Sequence, residues 1–498
     1  MKNIPQTITD SEGAGISGQG KKTREKTIGI QIDAYSFMDE GIEKVLDILQ
    51  EKGAVNALCL TTFSYDRGIT GRQIPGRKFP DHGVQESDEK IFHGGNYATP
   101  HPEFYKDTIL KNTKAPDFGK LDIVAEVLPA AKRRGMKVYC SVQDGFEYPD
   151  DVPGVKELSE IDLNGNRSGA MCFYNPDVRA FWSAVVTDIC KSYKIDGILL
   201  FNERGGPFLN SLGASHNQSI ASAGVTCFCE HHQKAAKEAG IDYQRTREGY
   251  MKLNQFVQSA LKGQRPSDGY YVEFARILIE YPEIQAWNKL FDKGKNQILA
   301  DVRSAAKRVN KNLEVGFHVE HVNSFNPIYR ATRSYSVMAD IADFLKVVVY
   351  NNAAGERYAS FIRNAGSIVF RDVPLDLLME FNNYLLNYAN EPELNELASS
   401  GMSADYVFRE TQRAINGVQG KSKIFPGIEI GIGSRKASPK ETYEATYAAF
   451  QAGADGIILS RKYSEMMLAN LAAAGDAVRD AAKNAVQTKT IVINKNKN

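Results

Sequence analysis

Eight short apolar runs punctuate this chain, and between them hydrophobic residues return every three or four positions. The runs cover residues 27–32, 55–63, 137–142, 195–201, 313–319, 344–350, 423–428 and 454–460. Stretches such as Ile198, Leu199, Leu200 and Phe201 do not alternate with polar residues, which is the pattern of parallel strands covered on both faces. The intervening segments read as helices. Ile42, Val45, Leu46 and Leu49 share one helical face, as do Val178, Phe181, Trp182, Val185, Val186 and Ile189. Asn175-Pro176 supplies a cap and a first-turn proline, and Ser438-Pro439-Lys440-Glu441 reads as a capping box for a helix ending near Gly453. Strand followed by helix, eight times over, predicts an α/β fold of the (β/α)8 barrel type.

Two departures from a minimal barrel stand out. Residues 64–117 form a long loop after strand 2, rich in Gly, Pro, His and Tyr (FHGGNYATPHPEFY), of the kind that covers a site. After strand 4 comes an insertion that is mostly helical from Cys227 onward. Residues 1–26 are polar and Gly/Ser-rich and read as a disordered leader; residues 27–485 would form the barrel with its insertions, and 486–498 a polar tail.

Charge and cysteine content narrow the partners. With 61 basic and 60 acidic residues and no long single-sign run, capture of nucleic acid or an anionic membrane is not expected. No stretch reaches the roughly 18 apolar residues of a membrane span, so the chain reads as soluble, either cytoplasmic or exported with its signal removed. An oligomer is compatible with this composition. Six cysteines in 498 residues do not form a disulfide scaffold. In CFCEHHQ, the residues Cys227, Cys229, His231 and His232 invite a zinc reading but lack a second metal-spaced pair; the other reading is a helix N-terminus packed beneath a loop. Cys59, Cys140, Cys172 and Cys190 read as small core residues. No metal and no cofactor is expected.

Barrel enzymes work at the carboxyl ends of their strands. Strand 4 runs through IDGILLFNERGGPF and delivers Asn202, Glu203 and Arg204 there; strand 7, in KIFPGIEIGIG, delivers Glu429. These strands face each other across the mouth, so the two acids can flank a glycosidic bond, one protonating the leaving oxygen while the other attacks or activates water. A carboxyl separation of about 5 to 5.5 Å would imply retention, and roughly 6.5 to 9.5 Å inversion. Arg204 reads either as a group orienting a carboxylate or as a structural ion pair. Strand 5 ends in HVEHVNSF, where His318, Glu320, His321 and Asn323 suit sugar hydroxyls, rim hydrogen bonds or a metal, and Glu320 is an alternative second acid. Asp33 and Tyr35 end strand 1, Asp144 and Glu147 follow strand 3, and Tyr350, Asn351 and Asn352 end strand 6. Arg461, Lys462 and Tyr463 follow strand 8. Tyr65, Tyr97 and Phe146 can form a platform for a sugar ring or pack the loops.

The segments GIQIDAYSF, FHGGNYATPHP, DGILLFNERGGPF, VNSFNPIYRA, DFLKVVVY, FPGIEIGIG and GIILSRKYSEM resemble an uncharacterised bacterial family of glycoside hydrolase-like barrels. That family is itself similar to clan A barrels of the family 42 β-galactosidase type. The resemblance runs from residue 27 to about residue 480. It implies a hydrolase of carbohydrate metabolism, a glycosidase, with Glu203 as general acid/base and Glu429 as nucleophile. Its pattern has Ser where this chain has Asn202, and a second acid where this chain has Gly431. Two further readings are a barrel that binds saccharide without cleaving it, and a lyase or isomerase acting on sugar-like substrates.

Overall fold

The computed structural model describes residues 25–72, 78–87, 94–111, 113–145, 148, 152–214, 224–431 and 435–495. Its centre is a closed cylinder of eight parallel strands, here β1 (Thr27–Ile32), β2 (Ala57–Ser64), β3 (Lys137–Gln143), β4 (Gly197–Phe201), β5 (Glu314–Val319), β6 (Phe344–Val348), β7 (Lys423–Glu429) and β8 (Gly456–Ser460). Each strand pairs with its sequence neighbours. β1 pairs with both β2 (Gly29 opposite Ala57) and β8 (Thr27 opposite Gly456), and this double pairing closes the sheet.

The period of two along each strand divides the core in half. One set of side chains fills the cylinder: Ala57, Cys59, Tyr139, Leu199, Phe201, Phe344, Phe425 and Ile458 pack together as a cluster of their own. Their neighbours of opposite parity, among them Leu58, Val138, Ile198, Leu200, Leu345, Ile424 and Ile457, join the larger core between sheet and helices. Each fully buried aliphatic or aromatic side chain of this kind stabilises the fold by about 1.5–3 kcal/mol. Gly316 on β5 belongs to the inner packing: a Cβ there would lie 2.1 Å from the Phe344 ring.

The helices begin where the sequence signals them. Val45, Leu46 and Leu49 are buried on the helix Ile42–Gly53. Asn175 accepts from the Asp177 N–H at the start of Pro176–Ser192. Ser438 and Glu441 cap the helix Pro439–Gln451 reciprocally. The segment after β2 is tied to the barrel by a short strand, Gly95–Asn96, antiparallel to the end of β2, and contains the helix Arg67–Thr70 and a single turn at Pro102–Phe104. After β4 come the helices Pro207–Ser211, Glu230–Glu238, Tyr243–Leu261, Tyr270–Glu280 and Glu283–Val309.

Two elaborations were not legible in the apolar pattern. After β3 an antiparallel ribbon forms from Ser159–Ile161 and Arg167–Met171. After β6 the helices Asn351–Ser367, Leu375–Leu386, Leu397–Ser400 and Ala404–Val418 replace the single helix of a minimal unit. The expected leader falls outside the described residues except for its last two positions. The final helix, Leu468–Lys495, runs through most of the segment read as a polar tail.

Candidate active site

Strand parity brings the two candidate acids to the same place. Phe201 and Phe425 point into the cylinder; Glu203 lies two residues beyond the first, and Glu429 four beyond the second, so both belong to the inward-facing register at the carboxyl edge. Glu203 Oε1 lies 2.5 Å from His318 Nε2, and its side chain keeps 21% of its surface exposed. His318, on β5, rests against the Phe201 ring. Burial, with the nearby Lys346 ammonium, pushes its imidazole below its ordinary pKa, while Glu203 pulls the other way.

Glu429 is enclosed. Its Oε2 accepts from the Ala353 N–H at 2.7 Å, at the start of the helix Asn351–Ser367, and its Oε1 has no hydrogen-bond partner among the described residues. A helix N-terminus favours a carboxylate. Burial outweighs that hydrogen bond and the Arg357 and Arg435 charges, and raises the Glu429 pKa to about 8.

Arg357, on the same helix, joins the two acids electrostatically. Both Glu203 and Glu429 hold up its charged state against burial, and its Nη1 lies 2.8 Å from His321 Nδ1. Tyr350 also senses both carboxylates. Beneath them lies a polar layer inside the cylinder. Lys346 Nζ donates to Gln31 Oε1 and, at 2.7 Å, to the Tyr350 hydroxyl; Ser460 Oγ donates to the same Gln31 oxygen at 2.8 Å. Lys346 also lies 5.2 Å from the Phe201 ring centroid, and burial pushes its ammonium down to about 7. Lys346, Gln31 and Arg357 were missed in the sequence. A lysine at inward parity in the apolar run DFLKVVVY was the available signal.

The remaining candidates divide by the partners they already hold. Asn202 donates to Asp144 Oδ2 at 2.6 Å, and Arg204 Nη2 donates to the same oxygen at 2.8 Å. Arg204 also lies 3.2 Å from Glu160, donates to the Met171 carbonyl at 2.8 Å and stacks 3.7 Å from the Phe173 ring centroid. Of its two readings, the buried ion pair matches this arrangement. Glu320 is paired with Lys295 and lies 3.3 Å from Arg333, and those cations hold its carboxyl below the usual range. Glu429, by contrast, has a fully buried oxygen with no hydrogen-bond partner among the described residues.

His321 Nε2 lies 3.0 Å from the Tyr406 hydroxyl, and Asn323 Oδ1 accepts from Arg413 at 2.7 Å. Asp33 caps the helix Ala34–Glu40 through Ser36, accepts from Ser464 at 2.9 Å and lies 3.5 Å from Lys462. Tyr35 packs edge-on against Phe118 with the Arg72 guanidinium over its ring. Asn351 donates to the Met402 carbonyl, Asn352 is paired with Arg435, and Arg461 pairs with Glu465. Tyr463 is buried against His82. Tyr65 and Tyr97 pack against Phe63 and Phe118 respectively. Phe146 and Glu147 lie outside the described residues.

No protein-family profile matches the chain, and no curated protein does so either. Similar solved structures include α-L-fucosidase isoenzyme 2 from Paenibacillus thiaminolyticus, 11% identical with a TM-score of 0.47, over 93% of this chain and 50% of that one. The PgaB glycoside hydrolase domain from Bordetella bronchiseptica is 11% identical with a TM-score of 0.44, over 88% and 94%. The β-galactosidase from Marinomonas ef1 is 11% identical with a TM-score of 0.46, over 93% and 60%. The chain thus spans half the length of the fucosidase and three fifths of the galactosidase.

Proposed function

We propose that this protein cleaves glycosidic bonds, with Glu203 and Glu429 as its two working carboxyl groups. The observation that carries this reading is that acids at the carboxyl ends of β4 and β7 share the inward-facing register and both act through their charges on Arg357 and Tyr350, with one buried oxygen of Glu429 lacking a partner among the described residues. Cleavage needs one carboxyl group that holds a proton and one that does not. In the free protein at neutral pH the proton rests on Glu429, because burial disfavours its charged form. Glu203 is the partner in the short contact with His318. The free protein is therefore set with Glu429 as the proton donor, opposite to the order that the family resemblance implies. Arg357 is placed to stabilise negative charge on either acid, and the substrate class is a carbohydrate.

The test is hydrolysis of a panel of aryl glycosides and oligosaccharides by the wild type, Glu203→Gln and Glu429→Gln. Each variant should remain folded and lose about 10²-fold or more in kcat. Azide rescue of Glu203→Ala and Glu429→Ala then separates the roles by configuration in a retaining enzyme: loss of the nucleophile gives a glycosyl azide of inverted anomeric configuration, and loss of the acid/base gives one of retained configuration. Full activity in either glutamine variant would refute the pair.

A further inference from the structure

We propose that Cys172, Cys227, Cys229 and His232 form a structural zinc site that joins the ribbon after β3 to the helical insertion after β4. The three Sγ atoms all lie within 4.8 Å of one another, with 3.3 Å between those of Cys172 and Cys229. A disulfide would need about 2.05 Å. Tetrahedral zinc with Zn–S bonds of about 2.3 Å sets its sulfurs about 3.8 Å apart, so this cluster needs only small adjustments to receive the ion. Three thiols and an imidazole are a soft donor set that suits zinc over calcium or magnesium.

His232 supplies the second, independent observation. It stands one turn beyond Cys229 in the helix Glu230–Glu238 and is 1% exposed, and neither ring nitrogen has a hydrogen-bond partner among the described residues. Its ring is walled by Trp287 and Tyr174, with each centroid 4.9 Å away. A buried imidazole normally has a partner for at least one nitrogen; the ring nitrogens of His232 do not lie within 4.8 Å of all three sulfurs, and His232 would complete the tetrahedron only by turning its ring toward them. Cys229 is the N-cap of the same helix, whose N-terminal dipole favours a thiolate.

The sequence showed Cys-x-Cys-x-x-His without its third sulfur; folding brings Cys172 to it at the end of the ribbon strand Arg167–Met171. Met171 in turn accepts the hydrogen bond from Arg204, the residue after Glu203. The metal would thereby brace the segment that carries Glu203. The proposal stands independently of the reading of Glu203 and Glu429, because its test requires no turnover.

The full chain, purified under reducing conditions without chelator, should contain stoichiometric zinc by elemental analysis and release it when a mercurial titrates its thiols. Cobalt added to the reduced, metal-stripped protein should give thiolate-to-cobalt charge transfer in the near ultraviolet and the visible bands of a tetrahedral ion. Cys172→Ser and Cys229→Ser should lose these signals. His232→Gln should keep the charge transfer but bind zinc at least tenfold more weakly. Protein without bound metal whose cobalt titration gives no charge transfer would overturn the proposal, whether or not the variants fold. A Cys172–Cys229 disulfide mapped in protein isolated under reducing conditions would overturn it as well, and unchanged zinc affinity in His232→Gln would remove His232 from the site.

Discussion

Replacing Glu429 with glutamine should make the protein more stable while abolishing turnover, and the gain should grow with pH. The folded pKa of Glu429 is raised from 4.5 to about 8 by burial. Between those values the native state holds a proton that the unfolded chain has released, so stability falls as pH rises toward 8. At about 1.36 kcal/mol per pH unit, keeping this carboxyl in the fold costs on the order of 3 kcal/mol at pH 7 and under about 1 kcal/mol at pH 5. Water screens little of this cost, since the residue is 1% exposed. Glutamine is neutral at every pH, its carbonyl can accept from Ala353, and its amide replaces the protonated oxygen. Thermal unfolding of both proteins from pH 5 to pH 8 should show nearly equal midpoints at the acid end and a gap of roughly 2 °C or more in favour of the variant at the alkaline end. A gap that stays constant with pH, or a variant less stable throughout, would refute the placement of a protonated carboxyl at this position.

The buried lysine beneath the site should show the opposite slope. Lys346 is pushed from 10.5 down to about 7, so the native state gains stability as pH climbs from 7 to 10, and Lys346→Met should lose that gain, on the order of 3 kcal/mol across the window, in urea titrations at the two pH values. Arg204→Met leaves Asp144 and Glu160 buried without their cation and should destabilise by about 3–5 kcal/mol in the same assay. Gly316→Ala pushes a methyl into the Phe344 ring and should cost about 1–3 kcal/mol; Phe344→Leu in the same chain should restore part of that loss, and strictly additive effects would contradict the contact.

The barrel was legible because its signal is repeated: eight buried strands, each too apolar to be a surface element, separated by capped helices. The ribbon at Ser159–Ile161 and Arg167–Met171 escaped because its strands are short, and Arg167 and Ser168 are polar and partly exposed. Glu203 and Glu429 could be picked out because an acid at the end of an apolar run is conspicuous. The polar layer beneath them was not conspicuous, because Lys346 and Gln31 are single polar residues inside apolar runs, and only the pairing register shows that they meet. Arg204 and Glu320 were equally conspicuous at their strand ends, but their ion pairs were not legible, because their partners, Glu160, Lys295 and Arg333, come from segments whose approach depends on tertiary packing.

The double pairing of β1 has a bearing on how the chain is made. During synthesis the first strand emerges about 420 residues before β8, and at 5–20 residues per second it waits roughly 20 to 80 seconds for its last neighbour. Throughout that interval one hydrogen-bonding edge of an apolar strand stays open to other nascent chains, a hazard that hydrophobic edges carry in general. Slower translation would prolong the exposure, and a holdase chaperone that shields the early strands should raise the yield of folded protein more than one acting after release from the ribosome.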